Sequence, residues 1–282
     1  MRRMPDRSGR PAIARAGLRT RLSVCMLAVL LLPALAGIAR ADRRYFLYSY
    51  TPYRPPAGTL ELETWLTAKT GKQDSTQHTQ WDPRVEFEYG ITHRLTASAY
   101  LNFSQPPGEA LRFKAPSLEL IYSLAEPGRL PGDPAVYFEV TETGDEIELE
   151  PKLLLAHRAG HILAAFNAAG EFEYRHDAEE LLESGEVLRN EFKLSLSGGI
   201  AFDVNSHVAL GLEARYVAEY PNFGAKSASM FSAGPCLNLQ SEKVQLSLAV
   251  MPQISGSPRS SGHRNLVDFE RTQVRAILGV DL

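Results

Sequence analysis

Residues 86–103 read EFEYGITHRLTASAYLNF, and their apolar side chains fall on alternate positions in two runs broken only by Ile91-Thr92-His93-Arg94. Phe87 and Tyr89 share one parity while Glu86 and Glu88 share the other; in the second run Leu95, Ala97, Ala99, Leu101 and Phe103 keep step. A period of two marks β-strands with unlike faces, and a short break between two such runs marks a hairpin. The environment has to welcome large apolar groups on one face and carboxylates on the other.

The same rhythm fills the chain. Twelve segments keep apolar residues on one parity, beginning at Leu60, Val85, Leu95, Leu118, Val136, Ile147, Ile162, Phe192, Val208, Phe231, Val244 and Val274, the last running to Leu282. Tight connections at 91–94, 157–160, 203–207 and 240–243 nearly alternate with long polar ones at 69–80, 104–114, 175–188, 218–227 and 253–266. A chain that goes up and down an even number of times puts short turns at one rim and long loops at the other, which is the asymmetry of a transmembrane β-barrel. Two links go against it: 125–134 is long where a short turn is wanted, and 141–146 is short where a long loop is wanted.

A secreted β-sandwich also alternates, with one face in a dry shared core. Three features favour the barrel: the loop rhythm, the hairpins that continue to the last residue, and the N-terminus. Seven arginines precede an apolar run over residues 22–38 that ends in Ala39-Arg40-Ala41. This is the order of a cleavable secretory signal. The run is shorter than the roughly 20 apolar residues that an uncleaved membrane anchor needs, and Cys25 precedes the run, so it is no lipoprotein attachment site. The expected organisation is therefore a signal peptide over 1–41, an N-terminal aromatic segment over 42–56 and an all-β, single closed antiparallel transmembrane barrel of about 12 strands over 57–282.

Removal of residues 1–41 takes away eight Arg and one Asp, leaving 22 basic and 32 acidic residues, a net charge of −10. Nucleic-acid binding, which wants a basic footprint, is excluded. Cys236 is then the single cysteine, so no internal disulfide and no cysteine metal cluster can form.

The turn Tyr89-Gly90-Ile91-Thr92-His93-Arg94-Leu95 and the alternating C-terminal strand resemble those of Gram-negative outer-membrane β-barrel proteins of the small porin or transporter-like kind. Tyr48-Ser49-Tyr50-Thr51-Pro52 followed by Thr59-Leu60-Glu61-Leu62-Glu63-Thr64-Trp65 is similar to the start of an uncharacterised family of such barrels. The resemblance implies Sec-type export, the outer membrane, contact with membrane lipids, and periplasmic chaperones and the barrel-assembly machinery as partners in biogenesis. Such barrels usually end in an aromatic residue; Leu282 departs from that pattern and implies differently tuned recognition by the assembly machinery.

If apolar positions face lipid, the opposite parity lines the lumen. It carries Glu61, Glu63, Glu86, Glu88, Glu119, Glu139, Glu148, Glu150, Glu171, Glu173, Glu191 and Glu213 against Lys69, Arg84, Lys152, Lys193, Arg215 and Arg275. Twelve acids against six bases predict a negative bore that favours small cationic or neutral solutes. The alternative is that these groups pair, Glu150 with the neighbours of Lys152 or Glu213 with Arg275, and plug the barrel; twelve strands lie between filled eight-stranded barrels and open channels of 16 or more. Small inward side chains on strands three, ten and eleven (Ser98, Asn102, Ser232, Asn238, Ser247) are expected to leave one side open, and Cys236 is a small inward filler. Tyr45, Phe46, Tyr48, Tyr50 and Tyr53 form an aromatic cluster that is either a strap entering the barrel, part of an interfacial girdle, or a leader at its rim.

Two other classes compete with passive passage. One is a structural or adhesion barrel whose outer loops bind a ligand; the other is a lipid-acting enzyme, which needs a serine within reach of a histidine at one depth. The seven histidines fall in loops, turns or strand ends, and His157 alone shares the lipid-facing parity, with no serine beside it. No catalytic residue, cofactor or metal is expected, and His157 and His161 belong to turn chemistry.

Overall fold

The computed structural model of the chain describes residues 44–73, 79–176, 185 and 187–282. The expected signal peptide and the residue His78 lie outside the described residues.

Twelve strands follow one another as antiparallel neighbours: β1 (Leu60–Thr70), β2 (Gln80–Gly90), β3 (Leu95–Ser104), β4 (Arg112–Ser123), β5 (Ala135–Glu142), β6 (Glu146–Ala159), β7 (Ile162–Arg175), β8 (Asn190–Asp203), β9 (Val208–Pro221), β10 (Ala228–Gln240), β11 (Val244–Ser257) and β12 (Thr272–Asp281). β1 pairs with β12 from Glu61 opposite Asp281 to Thr70 opposite Thr272, so the sheet is a closed barrel and has no free edge. The Leu282 amide, bonded to the Leu60 carbonyl at 2.9 Å, extends that seam to the last residue. A two-layer sandwich is thereby ruled out.

Parity survives closure. Phe87 and Tyr89 are 42% and 46% exposed on the outside, whereas Glu86 and Glu88 are 0% and 7% exposed within. Register extends the outer face sideways: Leu62 stands opposite Phe87, Phe87 opposite Ala99, Leu120 opposite Phe138 and Ile200 opposite Leu212. The result is a continuous coat of apolar side chains, Leu118 and Leu212 each 68% exposed among them. A soluble monomer rarely tolerates an apolar patch above a few hundred Å². Strand lengths of 8 to 14 residues suit the roughly 9–11 that a tilted strand needs to cross hydrocarbon.

The two links that break the loop rhythm do so without breaking pairing. The long link 124–134 folds back on its own rim through the Leu124 amide to the Pro134 carbonyl at 2.9 Å and the Ala156 amide to the Gly132 carbonyl at 2.8 Å. Beyond it β5 sits squarely between its neighbours, Glu139 facing Glu119 on one side and Glu150 on the other. The turn expected at 157–160 is shorter and later: Ala159 pairs with Ile162, leaving Gly160 and His161 as a two-residue turn with Gly160 at φ +58. Glycine meets that left-handed requirement without a Cβ clash.

An apolar outer coat gives a direct test. Leu118→Arg is expected to lower the unfolding free energy in phospholipid vesicles by about 2–4 kcal/mol, the cost of a cationic side chain near the bilayer midplane. A urea titration that finds no loss would show that this face does not meet hydrocarbon. Unheated protein in detergent electrophoresis is expected to migrate apart from boiled protein, because the closed ring has no edge from which to unravel; one common position would contradict closure.

Candidate functional site in the barrel interior

The interior divides into two zones at the level of Tyr48. On the side of the termini and short turns, residues 44–56 enter the ring, cross it and return to the rim, where the Gly58 amide bonds the Gly90 carbonyl at 2.7 Å. This strap is built around a short apolar run, Tyr45-Phe46-Leu47, in which Phe46 and Leu47 are 0% and 1% exposed. Their seat is made of small or aliphatic inward side chains, among them Ala165, Ala201, Ala209, Leu163 and Ile277. Gly199 makes room for the Phe46 ring, since a Cβ there would lie 2.4 Å from Cε1.

Polar contacts fix the strap along its length. Three consecutive amides, of Leu47, Tyr48 and Ser49, donate to the Glu213 carboxylate at 3.1, 2.8 and 2.6 Å. Asn167 holds both faces of Tyr50, accepting from its amide at 2.6 Å and donating to its carbonyl at 2.9 Å. Arg275 donates to the Leu47 carbonyl at 2.7 Å. At the rim the Tyr53 hydroxyl donates to Asp133 at 3.2 Å, and burial together with the Asp133 charge pushes its phenol up to about 12. Tyr53 therefore stays neutral and keeps donating across the physiological range.

Six of the twelve inward acids read from the sequence surround or hold this strap, as Arg275 does among the bases. Glu63 takes the Arg44 guanidinium through two contacts at 2.9 and 3.0 Å, and Glu86 lies 3.8 Å from the same group. Glu61 accepts from Gln245 at 2.7 Å, Glu88 faces Arg54 at 3.8 Å, and Glu119 accepts from the Tyr100 hydroxyl. Glu213 is the sixth, and it meets the strap amides, not Arg275. Asn238 and Ser247, expected beside open space, both donate to the Arg44 carbonyl, at 3.2 and 2.7 Å. That side of the ring is the strap's seat.

Beyond the strap lies a cavity of about 380 Å³. Glu148, Glu150, Glu171, Arg215 and Arg275 border it, and each is half-buried. Glu173 is buried beside it and shares Lys193 with Glu171. Glu150 pairs with Lys152 at 3.2 Å, and Glu139, which accepts from the Tyr137 hydroxyl, faces Arg84 at 3.8 Å. Acids and bases are near balance here: Asp82, Glu139, Glu148, Glu150 and Glu171 against Lys69, Arg84, Lys114, Lys152, Arg215 and Arg275. The acid excess counted along the sequence is concentrated around the strap. Glu148, Glu171 and Glu173 bring ligand oxygens within 4.8 Å of one another, but the Lys193 ammonium already occupies the latter two.

The strap escapes a parity reading because it is not a strand. Its signal is the run of small inward residues on β7 to β9, Ala165, Ala169, Gly199, Ala201, Ala209 and Gly211, which leaves a void only another part of the chain can fill.

No curated protein matches the sequence. The COG4313 outer membrane channel from Pseudomonas putida F1 aligns with a TM-score of 0.56 at 12% identity, over 84% of this chain and 100% of that one. The NanC porin aligns with a TM-score of 0.55 at 10% identity, over 78% of this chain and 100% of its own. At such identities the likeness is one of fold: a small porin-like barrel. Residues 38–133 and 134–282 match a family of unknown function, and the chain belongs to that family, DUF6662.

Proposed function

We propose that this protein is an outer-membrane barrel of a Gram-negative bacterium giving passive, porin-like passage to small neutral or cationic solutes, with the strap rim toward the periplasm. The observation that carries the reading is a polar cavity of about 380 Å³ inside a closed ring with an apolar exterior. Residues 1–41 serve Sec-type export and are removed; periplasmic chaperones and the barrel-assembly machinery deliver the chain to the membrane lipids. The neighbouring porin and channel folds agree with this reading.

Glu148, Glu150, Glu171, Glu173, Arg215 and Arg275 line the solute path. At its loop-side mouth Glu148, Glu171, Glu173 and Glu191 outnumber Lys193 and Arg175, a local excess that draws cations in. Glu61, Glu63, Glu86, Glu88, Glu119 and Glu213 act on the path indirectly, by setting how far the strap closes it.

The strap also favours a second reading, a structural or ligand-binding barrel whose lumen is plugged and whose outer loops do the recognition. Conductance in a planar bilayer separates the two. A steady open level with a cation-biased reversal potential is expected, and joint Glu148→Gln and Glu171→Gln substitution is expected to reduce that bias. Insertion without current favours the plugged barrel.

Loosening the strap tests its place in the path. Glu213→Gln removes the charge from three hydrogen bonds of a kind that contribute about 1.5–3 kcal/mol each, and Gly199→Val drives a side chain into the Phe46 ring. Both variants are expected to raise single-channel conductance while leaving the heat-dependent electrophoretic shift intact. Unchanged conductance in both would put the solute path elsewhere than past the strap.

A further inference from the structure

The cavity is near balance in charge, but its charges are not evenly matched. Arg84 has Glu139, Lys152 has Glu150 and Lys69 has Asp82 at 2.8 Å. Arg215 and Arg275, among the described residues, have no carboxylate within 4.0 Å. Arg215 donates through Nε to the Ser195 hydroxyl at 3.3 Å, and its two terminal nitrogens have no acceptor among the described residues. Arg275, which lines the cavity, donates through Nε to Thr67 at 2.9 Å and through one terminal nitrogen to the Leu47 carbonyl, and the other has no acceptor among the described residues. Both guanidinium groups approach one ring, Tyr48, that of Arg215 at 5.6 Å and that of Arg275 at 4.1 Å from its centroid.

Two like charges against one ring, without a counter-ion, repel each other in a confined space. Glu213, the acid on the same strand two residues before Arg215, turns its oxygens to the strap amides and pairs with neither guanidinium. Arg275 is held from behind by the strap and by β1, so its free nitrogen has a fixed direction. A guanidinium held in place with a donor to spare is a standard receptor for a planar carboxylate.

We propose that Arg215 and Arg275, flanking Tyr48 at the floor of the cavity, form a binding site for a small organic carboxylate. The carboxylate takes the unpaired terminal N–H groups of both arginines, and the apolar part of the ligand lies along Tyr48 and toward Trp65, whose ring is 5.3 Å from the Arg275 guanidinium. The acidic wall of β6 and β7 repels the same anion, which confines it to the arginine side. The site lies in the bore assigned to solute passage, but binding does not need passage, so it can be tested in protein that conducts nothing.

Trp65 supplies the readout. The chain has two tryptophans, and the other, Trp81, faces outward. In folded Trp81→Phe protein in detergent, lactate is expected to change Trp65 emission saturably, while lactamide, of the same shape without the charge, is expected to leave it unmoved. Arg215→Gln, which removes no hydrogen bond to the strap, is expected to weaken lactate binding by about tenfold or more, the loss that follows removal of a charge-assisted contact. Arg275→Lys keeps the charge but not the fork and is expected to weaken it as well; the heat-dependent electrophoretic shift certifies that each variant is folded. An equal response to lactamide, no saturable response to lactate, or undiminished affinity in folded Arg215→Gln protein overturns the proposal. Saturation by inorganic phosphate but not by lactate overturns the carboxylate assignment.

Discussion

The rest of the structure depends on the seam between β1 and β12. Once those strands pair, no strand is left with a free edge and every strand has one face turned outward and one inward. The alternation of Phe87 and Tyr89 with Glu86 and Glu88 is the local form of that constraint. A single-residue slip at any of the twelve interfaces would put glutamates into the apolar coat and phenylalanines into the bore, so register is fixed by the same side chains that define the faces.

Closure also creates a difficulty. A ring of twelve strands is wider than its own side chains can fill, and several inward positions of β7 to β9 are small. The chain answers with its own N-terminal segment. The strap offers the apolar run Tyr45-Phe46-Leu47 to the small-residue seat and three successive amides to Glu213. Without the strap Glu213 would be a carboxylate with no cation in contact; without Glu213 three amides would be buried unpaired. Each satisfies the other, which is why an element without a strand ladder can hold one conformation inside a polar tube.

Strand number, strand order and the two faces were legible in the sequence, because period-two alternation survives in every strand and each tight turn leaves a short polar break. The link at 125–134 was harder, since its length runs against the short-turn rhythm while β5 beyond it pairs in step with both neighbours. The fate of the bore was not legible from the same signal. Parity says that Asn238 and Ser247 point inward; it does not say that the Arg44 carbonyl waits for both of them. Nor does it separate Glu213, buried in amides, from Glu148 at the cavity edge. What alternation leaves out is any segment that is not a strand, and in this chain such a segment decides which inward residues meet open space.

The same omission explains why a tally of charged side chains misjudges the interior. Counting gives twelve acids to six bases and suggests a uniformly negative bore. In the folded chain Glu63 and Glu86 share Arg44, Glu88 faces Arg54, and Glu213 is met by backbone dipoles that no residue count includes. Both arginines come from the strap, outside the strands over which parity was counted. The local field in the cavity is then set by which charges remain unmatched after the strap has docked, and those include Arg215 and Arg275 as well as Glu148. An acidic sequence can in this way present a basic floor, because half of its inward acids surround or hold the segment that forms the floor.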